Sequence, residues 1–330
     1  MIQGDRNMTF YHVSTLVRRK RNQIMAIKNA VGDWILKEGE IKDFIRCGYK
    51  QIFLSSLSCV LRMDPAVSQW QPRLSELEKE SICWGGGGAS EEEIKAALWS
   101  LKPFKAPRLD GLHAGFFQNF WHTVGNSVIE EVQKIFVDRR VPEALNSTHI
   151  ALIPKIQGPE TLENYRLINL CNTVYKVVTK IIVARLWPYL DKLISPMQTA
   201  FVPGHKGINN VIIAQEVIHS FGKKKGMTGY KALKIDLEKA YDKLEWSFIR
   251  DMLIRANLPM DIIDVIMRCV STISTSILFN EEALNPIFPS RGIRQGDPIY
   301  PYLFILCMDF LRQLIKEKCS EKLWQPVKAS

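Results

Sequence analysis

Lys231-Ala-Leu-Lys-Ile-Asp-Leu-Glu-Lys-Ala-Tyr-Asp242 is the stretch on which the reading of this chain turns. Leu233, Ile235 and Leu237 alternate with Lys234 and Asp236, the period-two pattern of a short half-buried strand. Asp236 would stand at the end of that strand, and Tyr241 follows it. A carboxylate held rigidly at a strand end, pointing away from the core, suits Mg²⁺. Taken alone, the same residue reads equally well as a solvated turn, so its meaning depends on its company.

Downstream lies Ser290-Arg-Gly-Ile-Arg-Gln-Gly-Asp-Pro298, followed by an apolar helical run from Tyr302 to Leu311. Upstream lie His149-Ile-Ala-Leu-Ile-Pro-Lys155 and Asn164-Tyr-Arg-Leu-Ile-Asn-Leu170. Further blocks are Lys105-Ala-Pro-Arg-Leu-Asp-Gly111, Ile194-Ser-Pro-Met-Gln-Thr-Ala-Phe-Val-Pro203 and the opening Gly4-Asp-Arg-Asn-Met-Thr-Phe-Tyr-His12. In this order and spacing the blocks resemble the reverse transcriptases of plant LINE-type (non-LTR) retrotransposons, over nearly the whole chain.

The resemblance implies an α+β fold, the fingers and palm of a right-hand polymerase, with an incomplete palm and no thumb. Its implied divisions are a basic, mainly helical connector at 1–83, a Gly-rich joint at 84–90, and polymerase-like fingers and partial palm at 91–330. It implies RNA-directed DNA polymerase chemistry on an RNA template, a DNA primer and deoxynucleoside triphosphates. Asp236 matches the first metal-binding Asp of the family, with the Leu237 carbonyl as a further Mg²⁺ ligand. Lys155 and Arg166 fall where the family contacts the triphosphate, one a point charge and the other a planar fork suited to phosphate oxygens. Tyr241 falls where an aromatic ring meets the sugar of the incoming nucleotide and would reject a 2′-hydroxyl. Gln295 and Gly296 fall on the template and nascent pair, where glycine permits close backbone approach. Asp242 and Glu238, also near, are expected to be solvated turn carboxylates.

The chain also departs from the family. Nucleotidyl transfer uses two ions about 3.5–4 Å apart, held by carboxylates from separate elements. The family's second element is an aromatic-Ala-Asp-Asp hairpin, and no Asp-Asp pair occurs in this sequence. The expectation is therefore a polymerase domain truncated before its second metal motif and inert unless that part is supplied. The alternative is a catalytically inactive nucleic-acid-binding remnant. Arg108-Leu109 replaces a Gly-Pro, Leu167 replaces a Pro, and Tyr300 stands where a small residue is usual.

Composition is compatible with these expectations. The chain has 330 residues, a net charge of +10 and 46% hydrophobic residues, which favours a globular protein with an anionic partner. The first 50 residues carry ten Lys and Arg against five Asp and Glu, half of the net charge. Within them Arg18-Arg-Lys-Arg21 reads as a nucleic-acid or nuclear-targeting patch, or as a solvated helix face. Seven cysteines, none spaced as Cys-x-x-Cys, argue against a zinc site and for an intracellular, soluble protein. No apolar run is long enough for a membrane span.

Local patterns predict the remaining elements. The Trp84-Gly-Gly-Gly-Gly-Ala89 run is a joint rather than a phosphate loop, because no Lys-Ser/Thr follows it. Ser90 and Glu93 form a capping box before an apolar stripe of Ile94, Ala97, Leu98 and Leu101. Val128, Val132, Ile135 and Phe136 mark a second amphipathic helix. Asn172 caps a helix that buries Val174, Val177, Val178 and Ile181 and stops at Pro188. Helices are also expected at 211–221 and through Trp246, Ile249, Leu253 and Ala256. Thr275 to Phe279 and Asn285 to Pro289 pair as a hairpin.

Overall fold

The computed structural model describes residues 8–55, 74–84, 88–105, 110–199, 201–202, 204, 207–223 and 231–324. The opening block before Met8, the centre of the glycine run and Arg108-Leu109 lie outside them. The N-terminal part comprises α1 (Met8–Asn22), a small antiparallel pair of β1 (Ile27–Lys28) and β2 (Trp34–Ile35), α2 (Glu38–Phe53) and α3 (Glu76–Ile82).

The capping box forms as its sequence dictates. Ser90 accepts from the Glu93 amide and the Glu93 carboxylate accepts from the Ser90 amide, starting α4 (Glu91–Trp99). Ile94, Ala97 and Leu98 point inward, so one face of α4 is apolar throughout. There follow α5 (Ala114–Asn119), α6 (Trp121–Asp138) and α7 (Glu143–Asn146), which runs directly into β3 (Ser147–Pro154). Beyond these come β4 (Tyr165–Leu170), α8 (Thr173–Leu186), α9 (Leu190–Leu193), α10 (Gly207–Lys223), α11 (Trp246–Arg255) and α12 (Met260–Ser271). The described chain closes with β5 (Ser274–Phe279), β6 (Glu282–Ala283) and α13 (Tyr300–Ser320).

One four-stranded mixed sheet has the order β4-β3-β5-β6. β3 and β4 are antiparallel, from His149 opposite Leu170 to Pro154 opposite Tyr165. β3 and β5 are parallel, which demands a long crossover. The segment from α8 to α12 lies between them in the chain and contributes much of the larger core, together with α4, α6 and α13. A second core sets Ile41, Ile45, Tyr49 and Phe53 of α2 with Ile150, Leu152, Tyr165, Leu167, Ile277 and Phe279 of the sheet. The fold is thus α+β, with mixed helix and sheet.

Three expectations need correction. Residues 231–237 form no strand: they pair with neither edge of the sheet, and Leu233, Ile235 and Leu237 are 81%, 57% and 46% exposed. Alternation makes a strand only where a neighbour takes up the backbone groups and covers one face, and no described residue does so. The hairpin's second arm is shorter than its sequence suggested. β6 is Glu282–Ala283, and beyond it the pairing continues through a Leu284 N bond to the Ile277 carbonyl and a bridge between Thr275 and Ile287. Pro286 and Pro289 carry no N–H and interrupt the ladder. Asn172 does occupy the N-cap of α8, but its carboxamide donates to the Ala144 and Leu145 carbonyls at the end of α7 instead. Trp84 and Ala89, on either side of the glycine run, are buried in the same core.

Candidate functional site

The chain's signature blocks meet because one turn stitches them together. Residues 290–298 pass over the 238–245 turn. Gly292 N donates to the Leu244 carbonyl at 2.8 Å, Ile293 N to the Tyr241 carbonyl at 2.8 Å, and Trp246 Nε1 to the Gly292 carbonyl at 2.8 Å. Arg291 pairs with Glu245 at 3.4 Å. Gly292 has φ +91°, a left-handed conformation that side chains rarely adopt. A Cβ there would sit 2.6 Å from the Asp242 carbonyl oxygen, so only glycine lets the two segments approach this closely.

Next to this junction is a cleft of about 530 Å³. It gathers Lys155 at the end of β3, Arg166 of β4, Asp236 and Leu237, Tyr241, and Gln295. These residues lie far apart in sequence and converge on one space. Gly296 is not in the lining, but its φ of +104° shapes the turn that places Gln295 there. The Gln295 carbonyl accepts from the Asn169 amide at 3.1 Å, which docks the turn on β4.

The individual placements follow from local structure. Lys155 is exposed just past the β3–β4 ladder, and its ammonium donates to the Glu163 carbonyl at 2.8 Å. Arg166 is exposed on the same rim. Asp236 is exposed within the irregular 231–237 segment. Tyr241 is half-buried and stacks on Phe304 of α13, with ring centroids 4.5 Å apart and planes at 25°.

Asp242 corrects the sequence expectation of a solvated turn carboxylate. It is only 6% exposed and lines the cleft. Burial pushes its carboxyl up to about 6, against the opposing pull of Lys239, Lys155 and Lys243. Glu238 does remain exposed, beside Lys239 at 3.9 Å. Tyr49 of α2, Gln198, Lys239 and Phe304 also line the cleft and were not foreseen. Tyr49 could have been suspected from the apolar stripe of α2; Gln198 and Lys239 carry no local signal. Lys155, Arg166 and Lys239 outnumber the two carboxylates, so the cleft favours an anion beside which a cation can sit.

The sequence model described as "Reverse transcriptase (RNA-dependent DNA polymerase)" matches residues 153–325, more than half of the chain. The chain belongs to the reverse transcriptase family. All the cleft residues just described, apart from Tyr49, fall inside that match. The chain is 26% identical over 316 residues to the Transposon TX1 uncharacterized 149 kDa protein of Xenopus laevis, covering 95% of this chain and 24% of that protein. It is 26% identical over 204 residues to the Pol polyprotein from retrotransposable element R2 of Nasonia vitripennis, covering 62% of this chain and 19% of that one. A 30-residue stretch is 60% identical to an uncharacterized mitochondrial protein of Arabidopsis thaliana. The reverse transcriptase domain is thus similar to those of non-LTR retrotransposon polyproteins, and the chain spans about a quarter or less of their length.

Some departures from the family pattern are accommodated by packing. Leu167 is buried in the sheet core opposite Leu152, where its side chain fills space between α2 and the sheet. Tyr300 is fully buried, and its hydroxyl accepts from Arg294 Nε at 3.1 Å. Among the described residues, no group of three or more His, Cys, Asp or Glu is placed to hold a metal, and no helix is long and apolar enough to cross a membrane.

Proposed function

We propose that this chain is the nucleotide- and template-holding part of a non-LTR RNA-directed DNA polymerase, from an element of the plant LINE type. The convergence of Lys155, Arg166, Asp236, Tyr241 and Gln295 on one cleft carries this reading. The short match to an Arabidopsis protein supports the plant assignment. Residues 1–83 serve as the basic connector, 84–90 as the joint, and 91–330 as fingers and partial palm.

Lys155 and Arg166 hold the triphosphate, one as a mobile point charge and the other as a fork. Tyr241, fixed by its stack on Phe304, lies against the sugar and disfavours a 2′-hydroxyl. Gln295 and Gly296 meet the template and the nascent pair. Mg²⁺ characteristically takes one or two carboxylates and completes its shell with phosphates and water, so exposed Asp236 and the Leu237 carbonyl fit one ion. When bound, the metal neutralises charge that develops on the transferring phosphate. Asp242 is a poor second ligand, because it is almost wholly buried, at 6% exposed, whereas Asp236 is open to an incoming ion.

A cleft with one exposed carboxylate and one buried one favours nucleotide binding without turnover, which keeps the inactive-remnant reading alive as the second one. The discriminating experiment titrates the chain with a fluorescent dATP in Mg²⁺. Saturable, Mg²⁺-dependent binding is expected, weakened about tenfold in Asp236→Asn with an unchanged melting temperature, because Asp236 is exposed. Absence of saturable binding would sink the nucleotide reading. Primer extension on an RNA template should be undetectable; incorporation that disappears in Asp236→Asn would establish a working polymerase.

Binding of nucleic acid itself is expected to be sequence-independent and steeply salt-sensitive. Arg18 to Arg21 lie exposed at the end of α1, where cations also complement the helix dipole. Arg19 pairs with Glu281, leaving fewer charges for phosphate. Replacing all four with Ala should make the slope of log K against log salt shallower by roughly 2 for a single strand. An unchanged slope returns the cluster to a helix-end role.

A further inference from the structure

Arg294 directly precedes the cleft residue Gln295, does not itself line the cleft, and is almost wholly buried at 3% exposure. Its guanidinium is bonded on every side. Nε donates to the Tyr300 hydroxyl at 3.1 Å, one terminal nitrogen to Thr148 Oγ1 at 2.8 Å and the Asn146 carbonyl at 3.3 Å, and the other to Asn146 Oδ1 at 2.6 Å and the Cys269 carbonyl at 2.9 Å. The Tyr175 and Tyr300 rings lie 4.2 and 5.7 Å from its central carbon. Among the described residues it makes no salt bridge. One side chain therefore ties the end of α7, the start of β3, the last turn of α12, α8 and α13 to a single point.

A buried charge without an ion pair is costly, and an apolar side chain of similar volume often stabilises as well or better. What an apolar residue cannot reproduce is a rigid, planar set of donors that fixes the backbone leaving it. That backbone leads directly to Gln295, whose carbonyl meets Asn169 on β4 and whose residue lines the cleft. The following Asp297 is equally buried, at 2% exposed, and its Oδ1 accepts from the Ile299 amide to start α13. Only Gln295 and Gly296 lie between these two anchors.

We propose that Arg294 is a positioning residue: it acts through Gln295, setting where that residue stands in the cleft, and so sets affinity for the base-paired nucleotide. This rests on the nucleotide reading above, and its test separates the two. In Arg294→Lys the Asn169 amide, followed by NMR hydrogen exchange, should exchange about tenfold faster while the β3–β4 ladder amides do not change. Binding of fluorescent dATP with Mg²⁺ should weaken about tenfold. In a Gln295→Ala background the same Arg294→Lys change should cause no additional weakening, which a general loss of stability would not spare. Arg294→Met, which fills the space without donors, provides the second variant.

Unchanged Asn169 exchange, or equal weakening in both backgrounds, overturns the proposal. If both variants lose the cooperative thermal transition, Arg294 is a stability residue and the proposal also falls. If the unmodified chain binds no nucleotide, the nucleotide reading fails, and Asn169 exchange alone then decides whether Arg294 positions Gln295.

Discussion

Gly292→Ala is expected to lower stability by roughly 4 kcal/mol and to open the cleft, read as a fall in the urea midpoint together with loss of fluorescent dATP binding. The added methyl carbon would lie 2.6 Å from the Asp242 carbonyl oxygen and 3.1 Å from its carbonyl carbon, both backbone atoms that no rotamer change can move. The φ of +91° adds strain of about 1–3 kcal/mol for any side chain. Relief requires the two segments to part, which breaks the Gly292–Leu244 and Ile293–Tyr241 bonds, worth about 1 kcal/mol each. Gly296→Ala is the control. It has φ +104°, but the nearest atom to a new Cβ is the Asn169 carbonyl at 3.4 Å, so strain alone applies. Equal midpoints for the two variants would show that the close approach at Gly292 contributes nothing.

That junction also explains what the sequence could not reveal. Helices were legible because their periodicity is local. Ile94, Ala97 and Leu98 bury one face of α4 whatever lies opposite, and Ser90 and Glu93 close their cap within four residues. The short apolar run from His149 to Pro154 likewise reads locally as a strand, but its pairing with β4 is set by contacts the pattern does not specify. The 231–237 stretch has an equally clear pattern, yet its apolar side chains are exposed, because pairing depends on a neighbour that the pattern does not specify. Asp242 was misread for the opposite reason. Nothing nearby in sequence buries it, and its cover arrives from the Gly292 turn. Arg294 was passed over because an Arg in a Gly-containing loop resembles any solvated cation until the acceptors of α7, β3 and α12 are assembled around it. Lys155, Arg166, Asp236, Tyr241 and Gln295 are readable as members of the cleft, while Gln198, Lys239 and the electrostatics needed the packing.

Those electrostatics give the second large effect: Asp242→Asn should raise stability at pH 8 by roughly 2 kcal/mol and flatten the pH dependence of folding between about pH 4 and 6. An unfolded Asp titrates near its ordinary 3.8, whereas burial holds the folded carboxyl up at about 6. Between those values the folded chain binds more protons than the unfolded chain. Stability is therefore full below about pH 4, falls as pH rises through the window, and stays reduced above it. The gap between 3.8 and about 6 corresponds to roughly 3 kcal/mol, and the amide, also costly to bury, recovers most but not all of this. Urea midpoints from pH 4 to 8 test it, and parallel curves for the two proteins would refute the shifted carboxyl. Lys155 supplies part of the attraction that keeps the value from rising further. Lys155→Met should thus move the upper edge of the window above pH 6 without touching the fold, since that side chain is exposed and, among the described residues, its ammonium bonds only to the Glu163 carbonyl. An unmoved edge would mean that Lys155 and Asp242 do not share an electrostatic site, and that the two line the same cleft without acting on one another.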